Sequence, residues 1–159
     1  MKLVVGLGNP GKEYTRNRHN VGYVFVEKFK KEEISPRVMA VPSDVFMNSS
    51  GDMVAKLVSY YKTNLDDLYI VHDDLDIPLG EYKIQKGVGP KDHNGVNSVE
   101  ESLKSNDFWR VRIGVDNRDP QKRIPGEEYV LMNFNAQETD ILNKVIERAI
   151  TDLHGKLTQ

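Results

Sequence analysis

Short apolar segments alternate along the chain with segments whose apolar residues recur at helical spacing. This alternation is the sequence feature that most limits which fold the chain can adopt. Strands are predicted at Lys2–Gly6 and at residues 38–41, 68–71, 81–85 and 109–115. The last of these alternates in polarity like a half-exposed strand. Helices are predicted over residues 20–33 and after Ser49 or Ser50, Asn94 and Asn135. Strands that alternate with helices indicate an α/β sandwich with a mixed, mostly parallel sheet. The length of 159 residues fits one domain, residues 1–159.

Composition excludes several classes of protein. The chain has no cysteine, which excludes disulfides, Cys-ligated zinc, iron–sulfur clusters and thiol nucleophiles. Its net charge is -2, so an anionic ligand would have to be held by local charge. Residues 1–31 hold seven basic and two acidic residues, and residues 104–123 hold six and three, although ordinary solvated faces would give the same pattern. No apolar run approaches the roughly 18 residues of a spanning helix, and we expect a cytoplasmic protein.

A glycine-bearing turn, GLGNPG at residues 6–11, follows the first strand. Its G-x-G-x-x-G spacing is that of a dinucleotide site, which would make the chain a nucleotide-binding oxidoreductase. Such a site needs a helix that begins at the third glycine, but no helical pattern begins before Val21. A tight turn that presents Asn9 is the alternative, and the sequence favours it.

One histidine and one acidic run stand at positions suited to acid-base chemistry. His19 precedes the first helix, whose dipole disfavours the protonated imidazole; a cap or a surface residue is the alternative. The run His72, Asp73, Asp74 and Asp76 is expected in a loop after a strand. There it could bind magnesium, supply a carboxylate to a histidine, or simply be solvated. Loops after parallel strands lie at one edge of the sheet, so the two segments could meet.

Two asparagine-bearing segments, FMNSSG at residues 46–51 and DHNGVNS at residues 92–98, stand beside predicted helix starts. Asn48 and Asn94 could simply be caps, as Asn20 and Asn135 are expected to be. Together with Asn9, their amides could instead offer donors and acceptors to an ester or peptide group. The chain has no serine elbow of the kind used by serine triads, so in an acyl-transfer site the nucleophile would be water.

Taken in order, the motifs of this chain resemble those of the bacterial-type peptidyl-tRNA hydrolase family. They read VVGLGNPGKEY, RHNVG, FMNSSG, VHDDLDIPLG, HNG, RVRIGV and YVLMNF. The resemblance implies a three-layer αβα sandwich and an enzyme that hydrolyses the ester between a peptide and the 3′ ribose of tRNA. Such an enzyme recycles tRNA from prematurely released peptidyl-tRNA. It is implied to act as a monomer without metal or cofactor, on the acceptor stem and 3′ CCA end of its substrate.

The same resemblance assigns roles to single residues. It implies that His19 is the catalytic base, that Asp73 supports it, and that Asn9 helps to distinguish N-blocked from free aminoacyl esters. The positions implied to line the site for the peptide and the tRNA 3′ end are Tyr14, Phe46, Asn48 and Asn94, and Met47 and His93 stand beside them in the same motifs. The resemblance also implies that basic residues hold the acceptor-stem phosphates, and the candidates are Lys83, Lys86 and Arg112, close to Gln85.

Three departures from the family pattern accompany these matches. In GVGPKDHNG, residues 90–92 stand where the family has glycines, and Gln85 stands at a position that is commonly basic. The segment between residues 31 and 38 is short, so an edge hairpin is expected to be missing. A non-catalytic RNA-binding protein on the same fold is therefore the main alternative, but the joint presence of His19, Asp73 and Asn9 favours the enzyme.

Overall fold

Five strands form the centre of the computed structural model, which describes residues 1–158. They are β1 (Lys2–Gly6), β2 (Val38–Pro42), β3 (Leu68–Pro78), β4 (Tyr82–Lys86) and β5 (Trp109–Asp116). They join in one sheet in the order β2-β1-β3-β5-β4. The pairs β1–β2, β1–β3 and β3–β5 are parallel, and β4 lies antiparallel to β5. The predicted mixed, mostly parallel sheet is confirmed.

Helices cover both faces of this sheet. The five helices are α1 (Val21–Lys30), α2 (Ser50–Tyr61), α3 (Asn94–Leu103), α4 (Gly126–Tyr129) and α5 (Ala136–Leu157). Residues of α1 and α5 share one buried apolar cluster with the sheet, and residues of α2 and α3 share the other. The three-layer αβα sandwich implied by the resemblance is therefore present.

The alternation of side chains along β1 connects the sheet to both layers. Val4 belongs to the cluster under α1 and α5, whereas Leu3 and Val5 belong to the cluster under α2 and α3. Successive side chains of a strand point to opposite faces, so a central strand needs apolar residues at every position. This explains why the first strand reads as a continuous apolar run.

Two strand predictions were wrong in extent or exposure. The strand predicted at residues 68–71 continues to Pro78, so His72 and the acids that follow it belong to β3 rather than to a loop. The segment predicted as half-exposed is β5, whose residues 110–115 are all buried. It lies between β3 and β4 under both helical layers, so its polar side chains are buried with their partners instead of facing solvent.

Helix starts also differ from the prediction in detail. Asn135 caps α5 with a complete capping box, as expected. The side chain that caps α3 is His93, whose Nδ1 accepts hydrogen bonds from two backbone N–H groups, so Asn94 is the first helical residue and not the cap. Asn20 precedes α1 but makes no capping bond, because its side chain binds Asn9.

The connection between α1 and β2 is short. Residues 31–37 contain no strand, and β2 pairs only with β1 within the described residues, which makes it an edge of the sheet.

None of the helices in residues 1–158 combines the length and the apolarity that crossing a membrane requires.

Candidate active site

A cavity of about 760 Å³ opens beside the carboxyl ends of the parallel strands. This is the edge at which open α/β sheets bind their ligands. The sequence-predicted residues that line it are Asn9, His19, Phe46, Met47, Asn48, Asp73, His93 and Asn94. Tyr14, Lys83, Lys86 and Arg112 are not part of its lining.

His19 and Asp73 meet at the floor of this cavity. His19 lies in a 3₁₀ turn, Arg18–Asn20, just before α1, and its Nδ1 is 2.8 Å from Oδ2 and 3.0 Å from Oδ1 of Asp73. Gly22 allows the close packing that brings them together. A Cβ at Gly22 would lie 2.5 Å from the carbonyl oxygens of both Leu7, just after β1, and Val71, within β3. The start of α1 can therefore rest directly on the sheet.

His93 binds the same carboxylate from the other side. Its Nε2 lies 2.8 Å from Oδ1 of Asp73, while its Nδ1 accepts from the backbone N–H groups of Gly95 and Val96 at 3.1 and 3.2 Å. A nitrogen that accepts two hydrogen bonds carries no proton, so we assign the proton of His93 to Nε2. His93 is therefore locked as a donor to Asp73.

Asp73 and the histidines around it stabilise one another's charged forms. Burial alone would raise the pKa of Asp73, but the imidazoles of His19 and His93 hold it well below its usual range, so Asp73 is a carboxylate. Burial lowers the pKa of His19, yet the charge and hydrogen bond of Asp73 outweigh this and raise it above 6.5. A base with a pKa near the working pH is effective in proton transfer.

The rest of the acidic run has partners of its own. Oδ2 of Asp74 accepts from Nε of Arg112 at 2.7 Å, and Oδ2 of Asp76 accepts from the backbone N–H of Lys91 at 2.9 Å. Nδ1 of His72 lies 2.8 Å from the carbonyl oxygen of Asp73, and burial lowers the pKa of His72 to about 3, so it is neutral. Among residues 1–158, His72, Asp74 and Asp76 do not join a group of three possible metal ligands, which argues against the magnesium site considered from sequence.

The ligand atoms of His19, Asp73 and His93 lie within 4.8 Å of one another, a spacing that a metal ion could use. However, Nδ1 of His19 and Nε2 of His93 both point their protons at Asp73. A metal at that position would have to displace both hydrogen bonds. The donor set therefore fits a hydrogen-bonded trio better than a metal centre.

Asn9 is fixed so that one side-chain group remains for a ligand. Its Oδ1 accepts from the backbone N–H of Met47 at 2.8 Å, and its main chain exchanges two hydrogen bonds of 2.9 Å with the side chain of Asn20. Within residues 1–158, Nδ2 of Asn9 has no protein partner. Asn9 therefore presents an N–H donor to the cavity. The orienting roles of Asn20 and of the Met47 main chain had no signal in the sequence.

Aromatic and amide side chains stand at the mouth of the cavity. Phe46 is 57% exposed, and the ring of Tyr14 meets it edge-on with a centroid distance of 6.3 Å. Asn48 and Asn94 are also exposed and line the cavity from the starts of the 3₁₀ turn before α2 and of α3. These groups are placed to contact a ligand rather than the core.

The three side chains predicted to contact phosphate differ in their exposure and in whether they are already paired. Lys83 is exposed on β4, and Lys86 is paired with Asp66 and, at 3.7 Å, with Asp107. Arg112 is 7% exposed, and its guanidinium binds Asp74 and, at 2.7 Å, Oε1 of Gln85. The geometry argues against the prediction for Arg112, because a buried, paired guanidinium cannot reach a phosphate.

One wall of the cavity was missed by sequence reasoning. It comes from residues 117–131 between β5 and α5, and the lining residues are Arg118, Pro125, Gly126, Glu127, Val130 and Leu131. The motif YVLMNF, residues 129–134, begins in this stretch, but nothing in it pointed to a wall of the site.

Comparisons with known proteins agree with this geometry. The chain matches the family model "Peptidyl-tRNA hydrolase" over residues 3–159. It is similar to the peptidyl-tRNA hydrolase of Maridesulfovibrio salexigens, with 34% identity over 96% of this chain and 85% of that protein. It is also similar to that of Mycolicibacterium vanbaalenii, with 40% identity over 92% and 85%.

The fold agrees as well. The crystal structure of peptidyl-tRNA hydrolase from Acinetobacter baumannii superposes with a TM-score of 0.82 at 27% identity, covering 100% of this chain and 91% of that one. Because the family match extends over nearly the whole chain and the cavity holds a half-buried His19 hydrogen-bonded to a buried Asp73, this chain belongs to the peptidyl-tRNA hydrolase family of ester hydrolases.

Proposed function

We propose that the chain hydrolyses the ester between a peptide and the 3′ ribose of tRNA with water that His19 deprotonates. One observation carries the proposal: Nδ1 of His19 is held by Asp73, and within residues 1–158 its Nε2 has no protein partner while the residue lines the cavity. The carboxylate fixes the proton on Nδ1, which leaves the lone pair of Nε2 for a substrate water.

The proton and the bonds can be followed through the reaction. Nε2 of His19 takes a proton from water as the water oxygen attacks the ester carbonyl carbon. When the bond from that carbon to the ribose oxygen breaks, Nε2 returns the proton to the ribose oxygen. Asp73 stabilises the imidazolium that exists between the two steps. An aminoacyl ester is already activated, so no covalent enzyme intermediate is required.

Asn9 is placed to stabilise the charge that develops on the carbonyl oxygen. Its Oδ1 is occupied by the N–H of Met47, so Nδ2 is the group it offers. A preorganised donor of this kind contributes about 3–4 kcal/mol to a comparable transition state.

The proposed substrate contacts follow from exposure and chemistry. The exposed ring of Phe46, with Tyr14 against it, offers a surface on which a base of the CCA end can stack. Among the proposed phosphate contacts, Lys83 is exposed and forms no ion pair within residues 1–158, and a lysine contacts phosphates without reading sequence. Contacts of this kind would let the chain act on the acceptor stem of every tRNA. It would act as a monomer, in the cytoplasm where translation produces the substrate.

The test compares release of an N-acetylated amino acid from its tRNA with release of the unacetylated one. The chain should cleave the blocked ester selectively, and His19→Ala should lose most of kcat while its affinity for tRNA stays near normal. His154→Gln is a matched control, because His154 stacks on Phe29 at 4.8 Å on the α1/α5 side of the sheet and does not line the cavity. Full turnover by His19→Ala would place the base elsewhere.

A further inference from the structure

The side chain of Arg18 is buried beside the proposed base, yet the mechanism above does not use it. Arg18 is only 4% exposed. Its Nη1 donates to the carbonyl oxygens of Met132 and Asn133, both at 3.1 Å, and its Nη2 donates to both carboxylate oxygens of Glu138 at 2.8 and 2.9 Å. Its guanidinium lies over the ring of Tyr129, 3.9 Å from the centroid. An arginine that binds in this way holds its partners in one orientation.

Apart from Glu138, these partners of Arg18 lie in one stretch, residues 129–134, which we call the wall segment. This segment also holds the main chain of the catalytic turn. The N–H of His19 donates to the carbonyl of Val130 at 2.8 Å, and the N–H of Arg18 donates to that of Met132 at 3.2 Å. Val130 and Leu131 line the catalytic cavity. A shift of the wall segment would therefore move both His19 and the surface that faces the substrate.

Glu138 ties the wall segment and Arg18 to a rigid element. It lies in the first turn of α5, where its Oε1 accepts from the N–H of Asn135 at 3.0 Å and its Oε2 accepts from Nδ2 of Asn117 at 3.0 Å. Burial would raise the pKa of Glu138, but hydrogen bonds from Asn135, Asn117 and Arg18 lower it overall. Arg18 is thus paired with a carboxylate that is itself fixed at the start of a 22-residue helix.

We propose that Arg18 and Glu138 are positioning residues for the hydrolysis: their ion pair fixes the wall segment, and the wall segment holds His19 in place for catalysis. This inference rests on the proposed role of His19 as the base. His19 is held at two places: Asp73 binds Nδ1 of its ring, and the wall segment accepts a hydrogen bond from its backbone N–H. A misplacement of about 1 Å at a reacting group can cost about 100-fold in rate.

The main test is Arg18→Lys. The lysine keeps the positive charge and can still reach Glu138, but it loses the planar guanidinium whose two nitrogens donate to Glu138 and to the wall segment at once. We expect kcat to fall roughly 10- to 100-fold with N-acetyl-aminoacyl-tRNA, and KM to change less than about threefold. The variant should also move the acid limb of the kcat profile to lower pH, because Asp73 is what raises the pKa of His19. A looser contact lets that pKa fall, so the base stays neutral at lower pH.

The pH readout depends on the groups around His19, which the variant leaves unchanged. Asp73 from β3 and His93 from the start of α3 face its ring, whose centroid lies 4.9 Å from that of His93. The other charged residues that line the cavity are Asp76, Lys91, Asp92, Arg118 and Glu127. A shift of the acid limb would therefore report the His19–Asp73 contact itself.

Arg110→Lys is the matched control. Arg110 is 1% exposed and is paired with Glu100, but neither residue lines the cavity. This variant should lower Tm while leaving kcat and the acid limb unchanged. If Arg18→Lys does not fold, Glu138→Gln carries the test, since glutamine keeps one oxygen for the N–H of Asn135 but loses the charge and the second oxygen that accepts from Arg18. It should lower kcat in the same direction by a smaller factor.

The outcomes separate the two proposals. A lower Tm for Arg18→Lys or Glu138→Gln with wild-type kcat and an unmoved acid limb would overturn the positioning role, even if His19→Ala is inactive. If His19→Ala retains full turnover, the proposed base fails whatever the Arg18 variant does. Loss of kcat in the Arg18 and Glu138 variants but not in Arg110→Lys, with His19→Ala inactive, supports both.

Discussion

Replacing Asp73 with asparagine keeps the size of the side chain but turns one of its two acceptor oxygens into an N–H donor. Two imidazoles now donate to that carboxylate, His93 at 2.8 Å and His19 at 2.8 Å from its nearer oxygen. After the replacement, the NH₂ group stands where one of these two nitrogens now donates, and two donors would meet there at 2.8 Å. His93 cannot change its proton, because the N–H groups of Gly95 and Val96 already occupy its Nδ1.

The asparagine oxygen therefore serves His93, and its NH₂ group faces Nδ1 of His19. His19 must then accept at Nδ1 and carry its proton on Nε2, where it cannot act as a base. Restoring the active tautomer would leave a buried donor unsatisfied, which costs about 1–3 kcal/mol, and the imidazolium would lose a charged hydrogen bond worth about 1.5–3 kcal/mol. The total of roughly 2.5–6 kcal/mol corresponds to a fall in kcat of about 10²- to 10⁴-fold.

The assay is the kcat of Asp73→Asn with N-acetyl-aminoacyl-tRNA, together with the ¹⁵N chemical shifts of the His19 ring, which report the tautomer. The loss should be smaller than that of His19→Ala. Asp74→Asn is the control, since Asp74 is equally buried and its partner is Arg112; it should lower stability and change kcat far less. A kcat for Asp73→Asn within about threefold of wild type, or a His19 ring still protonated on Nδ1, would refute the reasoning.

Three further predictions concern pH, salt and metal. Burial holds the pKa of His72 near 3, below its unfolded value of about 6.5, so its contribution to stability is present above pH 6.5 and is lost as pH falls towards 3. Urea unfolding of wild type and His72→Phe should show that the wild type loses about 2–3 kcal/mol more between pH 7.5 and 4.5, and parallel profiles would contradict this. KM should rise steeply with salt while kcat changes little, and Lys83→Ala should reduce the slope of log KM against log salt concentration by about one. A KM that does not depend on salt would contradict the proposed phosphate contacts. A chelator should leave activity unchanged, whereas inhibition that added magnesium reverses would favour a metal at the His19, Asp73 and His93 cluster.

The periodic features of the chain were predictable because they depend on local sequence. The apolar run of β1, the capping role of Asn135 and the helical period of α5 were recognised from residues near one another in the chain. The order of the motifs pointed to the family and thereby to His19 and Asp73. The prediction that no helix begins at Gly11 is confirmed, since a 3₁₀ turn and not an α-helix follows it.

Pairings between distant residues were not predictable in the same way. The sequence presented Arg112 as a candidate for phosphates, but its environment depends on Asp74 and Gln85, which lie 38 and 27 residues away. The exposure of β5 was misjudged for the same reason, because only the strand order places it in the interior of the sheet.

What the amino-acid sequence determined by itself is the set of elements and the chemical groups available to the site: one α/β sheet, two imidazoles, a carboxylate and an asparagine amide. Only the tertiary structure decided which nitrogen of each imidazole carries the proton and which cations are free. Those states depend on hydrogen bonds between residues 20 to 120 positions apart, such as His93 to Asp73 and Arg18 to Glu138, which exist only once the sheet has brought the strand ends together.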